Sequence, residues 1–169
     1  MTIKDILKAR DVYWISADDT VRQAVRFLCE RKIGAVAVKD QDEVVGVFSE
    51  RDLMHRVVNE GRDPNTTLVR EVMSTQLHFI HMDDDIRSAK ALMYKNRVRH
   101  LLVVGKGNQL RGMVSMRDLV DAEVAESQEL IHKLNDAYYE QAYNARWRIV
   151  SNRVIIDHYT VFSKNVHTE

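Results

Sequence analysis

Apolar positions in the first half of the chain follow two periods. Val21, Ala24, Val25 and Leu28 recur at i, i+3, i+4 and i+7, the spacing of one face of an amphipathic helix. Asp19 or Thr20 stands where its cap belongs. A continuous apolar run, Ile33 to Val38, follows and predicts a strand. After the polar turn Asp40 to Glu43 comes a second short run, Val44 to Phe48, and Ser49 then opens another helical stretch. The same order returns 65 residues later, with Ile86, Ala89 and Met93 on the helix, Val98 to Val104 as the first strand and Leu110 to Val114 as the second.

The two passages superimpose residue by residue. Ile15, Asp18, Asp19, Arg22, Ala24 and Val38 fall on Ile80, Asp83, Asp84, Arg87, Ala89 and Val103. One extra residue in the second hairpin turn makes the offset 66 thereafter, so Gly46, Ser49, Arg51, Asp52 and Leu53 fall on Gly112, Ser115, Arg117, Asp118 and Leu119. The lead-ins Ile3-Lys4-Asp5-Ile6-Leu7 and Val69-Arg70-Glu71-Val72-Met73 match as well. The chain therefore holds an internal duplication of a β-α-β-β-α unit. The repeats span residues 2–58 and 69–125, and residues 59–68, which contain the only proline, Pro64, read as a linker. A unit of about 55–60 residues is marginal alone, and each apolar face needs a cover. The expected fold class is α+β (α/β), two repeats packed by their sheets around a pseudo-two-fold axis with a cleft between them.

A duplicated unit ending in Gly-apolar-apolar-Ser-x-Arg-Asp-Leu resembles a tandem pair of CBS domains, the regulatory repeat named after cystathionine β-synthase. The resemblance covers Thr2 to about Ala125, and both copies carry the end motif. It implies a cleft that takes an adenosyl ligand such as AMP, ADP, ATP, NAD or S-adenosylmethionine, held without a covalent bond. The sequence departs from the common pattern where proline often stands, reading Ser16-Ala17, His81-Met82 and Leu101-Leu102, so the resemblance fixes neither the wall near the base nor the identity of the ligand.

The residues supply a matching chemistry. Each end motif runs from a strand into a helix start, where backbone N–H groups and the helix dipole suit oxygen atoms of a ligand. Asp52 and Asp118 can accept from both ribose hydroxyls. Ser49 and Ser115 can bond ribose or phosphate, and Arg51 and Arg117 can neutralise phosphate charge. The adenine would slot near Ile33 and Ala35, or near Val98 and His100. Ser-x-x-Asp before a helix is also a capping box variant, and duplication copies caps as well as sites. The second repeat carries Lys95, Arg97, Arg99 and His100 where the first has Lys32, Gly34 and Ala35. That excess favours a polyphosphate or dinucleotide near the second repeat, against the alternative of a solvated helix end answering its dipole.

Composition narrows the field further. Lys plus Arg and Asp plus Glu number 25 each in 169 residues, and a net charge of zero argues against a coat for nucleic acid or anionic membrane. No apolar run approaches the roughly 20 residues of a membrane span, and the N-terminus lacks a signal-peptide core, so a cytoplasmic setting is expected. A single cysteine, Cys29, excludes a disulfide framework and reads as a packing residue of the first helix. His78 and His81 point to opposite faces of a strand-like segment and make poor joint metal ligands. Asp83, Asp84 and Asp85 suit a helix start, and Gly105-Lys106-Gly107 lacks the spacing of a phosphate loop. No catalytic dyad, triad or metal set stands out, so no enzyme activity and no metal are expected.

Residues 126–169 read as a helical extension and tail. From Asp118 to Arg146 there is no Gly or Pro, and Val124, Ile131, Leu134, Tyr138 and Ala142 line one side of a long helix. Such an arm can clasp a second copy or fold back on its own module. Trp147 to Phe162 carries strand-like stretches and is too short for a domain. The expected protein is a stand-alone homodimeric regulator whose ligand alters the arrangement of repeats or protomers for an effector protein. The other expectation is a structural adaptor that binds no ligand and uses its C-terminal arm.

Overall fold

The structure, a computed structural model, describes residues 1–7 and 11–150, with side-chain surroundings through Tyr143. It forms two compact units, Met1–Glu123 and Val124–Glu169.

In the first unit, β1 (Trp14–Ser16) is parallel to β2 (Ala35–Asp40), which is antiparallel to β3 (Glu43–Ser49). A second sheet repeats this order with β4 (Phe79–His81), β5 (His100–Val104) and β6 (Leu110–Ser115). The parallel pairs need a crossover helix, supplied by α2 (Val21–Arg31) and α5 (Ile86–Asn96). Their ends follow side-chain chemistry. Thr20 caps α2 in a reciprocal box with Gln23, whose Oε1 accepts from the Thr20 N–H at 2.7 Å. Asp85 accepts from the Ser88 N–H at 2.7 Å at the start of α5. Both helices stop on a left-handed residue, Lys32 with φ 53° and Arg97 with φ 54°. Of the two caps expected for the first helix, Thr20 is the one used; Asp19 instead accepts from the Ser16 N–H at 2.8 Å in the preceding turn.

The duplicated motif behaves alike in both halves up to its helix. Ser49 opens α3 (Glu50–Asp52), which continues as a π-helical stretch, Leu53–Val58. Ser115 opens α6 (Met116–Val150). The linker is tied down: its Thr67 and Pro64 carbonyls accept from the Val21 and Arg22 N–H groups at 2.9 Å each. These are first-turn donors of α2 that have no partner within the helix.

The lead-in segments are exchanged between repeats. α1 (Ile3–Ile6) precedes the first repeat, yet the Ile3 N–H donates to Asp84 O at 2.9 Å and the Lys4 N–H to Met82 O at 2.8 Å. α4 (Val69–Val72) precedes the second repeat and mirrors this, with Val69 N–H to Asp19 O at 2.9 Å and Arg70 N–H to Ala17 O at 3.0 Å. The cores follow the same exchange. Val69 and Val72 join Ile15, Val21, Val36 and Phe48, while Ile3 and Leu7 join Ile80, Met93, Leu101 and Leu119. The motif glycines make room for it. A Cβ at Gly46 would collide with Met73 at the end of the second lead-in, and Gly112, at φ 150°, faces Leu7 at the end of the first. Ala35, Ala37, Leu102 and Val104 are buried too, on the opposite faces of β2 and β5 from these cores. Both faces of each central strand are thus covered, as two sheets packed around a pseudo-two-fold axis require.

The second unit contains the rest of α6 from Val124 to Val150. Trp147 to Val150, expected within a strand-like stretch, are helical; the remainder of that stretch lies outside the described residues. Val124, Ile131, Leu134 and Tyr138 fall on one side of the helix and are exposed by 50, 58, 61 and 69%. No helix among the described residues is long and apolar enough to cross a membrane.

Candidate functional site

Each strand β2 or β5 begins where a crossover helix has just ended, and each motif helix begins where β3 or β6 ends. The start of one repeat's central strand shares a cleft with the motif helix of the other. Two composite clefts result. The first, of about 990 Å³, joins Ile33 and Ala35 of the first repeat to Ser115, Arg117 and Asp118 of the second, with Arg99 and His100 on its wall. The second, of about 1050 Å³, joins Val98 and Arg99 of the second repeat to Arg51 of the first. Arg99, Glu50 and Met116 line both.

Nine of the eleven candidate residues therefore border a cleft, and Ser49 and Asp52 border neither. Asp118 Oδ2 accepts from the Ser115 N–H at 2.7 Å and from its Oγ at 2.5 Å, so the capping role is real. It coexists with a place on the cleft wall, where Asp118 is half-buried. Asp52 makes the same cap, accepting from the Ser49 N–H at 3.0 Å and Oγ at 2.6 Å. Its other oxygen accepts from Ser74 Oγ at 2.9 Å and lies 3.5 Å from the Arg56 guanidinium. Asp52 is only 7% exposed. The identical motifs thus meet different surroundings.

The helix starts are less open than unpaired N–H groups suggest. Glu50 N–H donates to Gly34 O at 3.0 Å and Met116 N–H to Arg99 O at 2.9 Å, while the Asp118 N–H donates to Ser115 Oγ at 3.2 Å. Anion binding by backbone amides is correspondingly reduced, and the side chains carry more of it. Tyr13 and Leu28 also border the first cleft, as does Cys29, which is exposed rather than packed. For Leu28 and Cys29 the signal in the sequence is the end of α2, where Val25, Leu28 and Cys29, at i, i+3 and i+4, line the cleft; Tyr13 precedes β1 and gave no signal. Ser74 and Arg56 gave no signal, because only tertiary structure brings them to Asp52. Among the described residues no group of His, Cys, Asp and Glu is placed to hold a metal ion.

His100 sits between these charges. Burial pushes its imidazole below the ordinary value of 6.5 and Arg99 adds to this, while Asp118 and Glu50 oppose it. At neutral pH the ring is neutral, one nitrogen donating and one accepting. The sign for stability follows: below 6.5 the unfolded chain takes up the proton before the folded one does. The contribution of His100 is present above pH 6.5 and falls as acid approaches its lower folded value. Urea unfolding at pH 7.5 and 5.5 should show a loss in acid that shrinks in His100→Gln; an equal loss in both proteins would contradict it.

Two repeats closing on composite clefts define a single duplicated module rather than two independent domains. The CBS domain family model matches residues 2–59 and 69–125, and the chain belongs to the CBS domain family. It is 32% identical over 153 residues to the mitochondrial CBS domain-containing protein CBSX3 of Arabidopsis thaliana, covering 84% of this chain and 73% of that one. Its fold is similar to that of a signal-transduction protein with CBS domains from Burkholderia ambifaria, with TM-score 0.70 and 33% identity over 74% of this chain and 95% of that one. A CBS domain protein of Pyrobaculum aerophilum, complexed with AMP, shares the fold with TM-score 0.63 and 23% identity, over 70% of this chain and 89% of that one. The CBS domain pair of protein MJ0100, in complex with 5′-methylthioadenosine and S-adenosyl-L-methionine, shares it with TM-score 0.65 and 18% identity, over 75% and 98%.

Proposed function

We propose that this chain is a regulatory protein that binds an adenosyl ligand in the first cleft and signals through the relative arrangement of its repeats. The observation that carries this reading is Asp118, capped onto Ser115 and set on a cleft wall opposite Ile33 and Ala35. A carboxylate there can accept from two ribose hydroxyls, apolar side chains flank the base, and Arg117 and Arg99 stand ready for phosphate. Relatives of the same fold that hold AMP or S-adenosylmethionine support the choice of ligand class. Because the cleft is built from both repeats, a ligand there contacts both and favours the arrangement that fits it best.

The exposed stripe Val124, Ile131, Leu134 and Tyr138 supports a second element of the reading, a homodimer in which α6 packs on a partner copy. Light scattering should give twice the chain mass, and a monomer would set this element aside.

The ligand is tested by thermal unfolding of nucleotide-free protein with AMP, ADP, ATP, NAD and S-adenosylmethionine, with GMP as the contrast. A ligand at 100 times its dissociation constant adds about 2.7 kcal/mol, a rise of about 5–11 °C for a protein of this size. A rise with adenosyl ligands alone supports the proposal. No rise with any of them favours an adaptor that works through its C-terminal arm.

A further inference from the structure

The second cleft has the charge of a phosphate site and lacks the acceptor of a nucleoside site. Arg51 reaches it from the start of α3, Lys95 and Arg97 from the end of α5, and Arg99 from the residue before β5. Among the described residues none of these four makes an ion pair or a side-chain hydrogen bond. Several surface cations elsewhere in the chain are held in ion pairs, among them Arg70 with Asp18, Lys90 with Glu123 at 2.7 Å and Lys133 with Glu129 at 2.6 Å; what sets these four apart is that they converge on one space. Four unpaired cations around one concave space raise the local potential and draw in polyanions.

The single carboxylate on that wall, Glu50, is turned toward Gly34 of the first cleft, with Oε2 3.2 Å from where a Cβ of Gly34 would stand. The acceptor that would select a ribose is missing. Asp118 borders the first cleft, whereas its counterpart Asp52 is buried beneath Ser74 and Arg56 and does not border the second. The last turn of α5 is fixed, since the Arg97 N–H donates to Met93 O and Tyr94 O. Guanidinium groups carried on fixed backbone suit the paired oxygens of adjacent phosphoryl groups.

We propose that the second cleft is an oligophosphate site, taking two or more linked phosphoryl groups and excluding nucleosides. The phosphoryl groups come either from free polyphosphate or from the tail of a nucleotide whose adenosine lies in the first cleft, to which Arg99 is common. The inference stands independently of the adenosyl reading.

Calorimetric titration of the full chain with tripolyphosphate, ATP and adenosine at low salt tests it. Tripolyphosphate should bind once per chain. Affinity should fall by about tenfold or more in Lys95→Gln/Arg97→Gln, as expected for losing hydrogen bonds to charged groups. Lys106→Gln, which removes a charge in the exposed β5–β6 turn, should leave it unchanged. Both altered sites are exposed, so an unchanged melting temperature confirms folding. Loss of ATP affinity in the double variant identifies a nucleotide tail, and loss of tripolyphosphate alone identifies a free polyphosphate. Tripolyphosphate binding without any adenosyl binding would remove the proposed function and leave this site standing. No tripolyphosphate binding, equal weakening in Lys106→Gln, or adenosine weakened by the double variant would overturn the inference.

Discussion

Asp118→Ala should weaken AMP binding by about 100-fold, the largest loss expected from any single change in the first cleft. The removed carboxylate would accept from two ribose hydroxyls. Hydrogen bonds to a charged group contribute about 1.5–3 kcal/mol each, and replacement by water returns part of that, leaving about 2.8 kcal/mol, or two decades of affinity. The change also removes the acceptor of the Ser115 N–H and Oγ, so a modest drop in melting temperature accompanies it. Asp52→Ala should give the opposite balance. It breaks contacts with Ser49, Ser74 and Arg56 at a buried site, so stability falls more while AMP affinity in the first cleft changes little. Calorimetry on both variants, run beside thermal unfolding, separates the two effects. If Asp52→Ala were the variant that lost AMP, the assignment of ligand to the first cleft would be wrong.

Ile3→Ala should destabilise the protein by about 2–5 kcal/mol, the range for truncating a large buried aliphatic residue to alanine, although Ile3 lies ahead of the first strand in a four-residue helix. Its side chain is fully buried, and it packs in the core of the second repeat with Ile80, Met93 and Leu101. Hydrogen exchange locates the damage. Amides of β4 and β5 should lose protection first, with those of β1 and β2 retained longer, because local opening follows the weakened core. Val69→Ala should reverse the pattern, since Val69 is buried among residues of the first repeat. A cost below about 1 kcal/mol for Ile3→Ala, the scale of surface or fraying positions, would refute the exchange of lead-ins.

Both expectations rest partly on what the sequence carried and partly on what it did not. The 3.6-residue spacing of Val21, Ala24, Val25 and Leu28 and the apolar runs after it gave the crossover helices and central strands, because burial against one face imposes that spacing. The duplication gave the architecture, since a repeat too small to stand alone needs its copy. The exchange of lead-ins was hidden. Ile3 and Val69 are apolar and match each other, yet neither reveals which of two similar cores it enters. The asymmetry of the candidate site was hidden for the same reason. Ser49 with Asp52 and Ser115 with Asp118 are indistinguishable as motifs, yet Asp118 borders the first cleft, while Asp52, which Ser74 reaches from 22 residues away, borders neither. The excess of cations in the second repeat was legible in Lys95, Arg97 and Arg99. Their convergence with Arg51, from the other repeat, required the fold.

The crossing of lead-ins bears on how such a chain could arise. A polypeptide carrying one copy of the unit could not seat its own opening segment in its own core without changing this geometry. It would complete its core by trading that segment with a second molecule, as in a swapped dimer. Joining two such copies end to end preserves every contact and turns an encounter between molecules into a closure within one. The linker through Pro64 then makes assembly independent of concentration, and it frees the two halves to diverge, one keeping its carboxylate on a cleft wall and the other burying it.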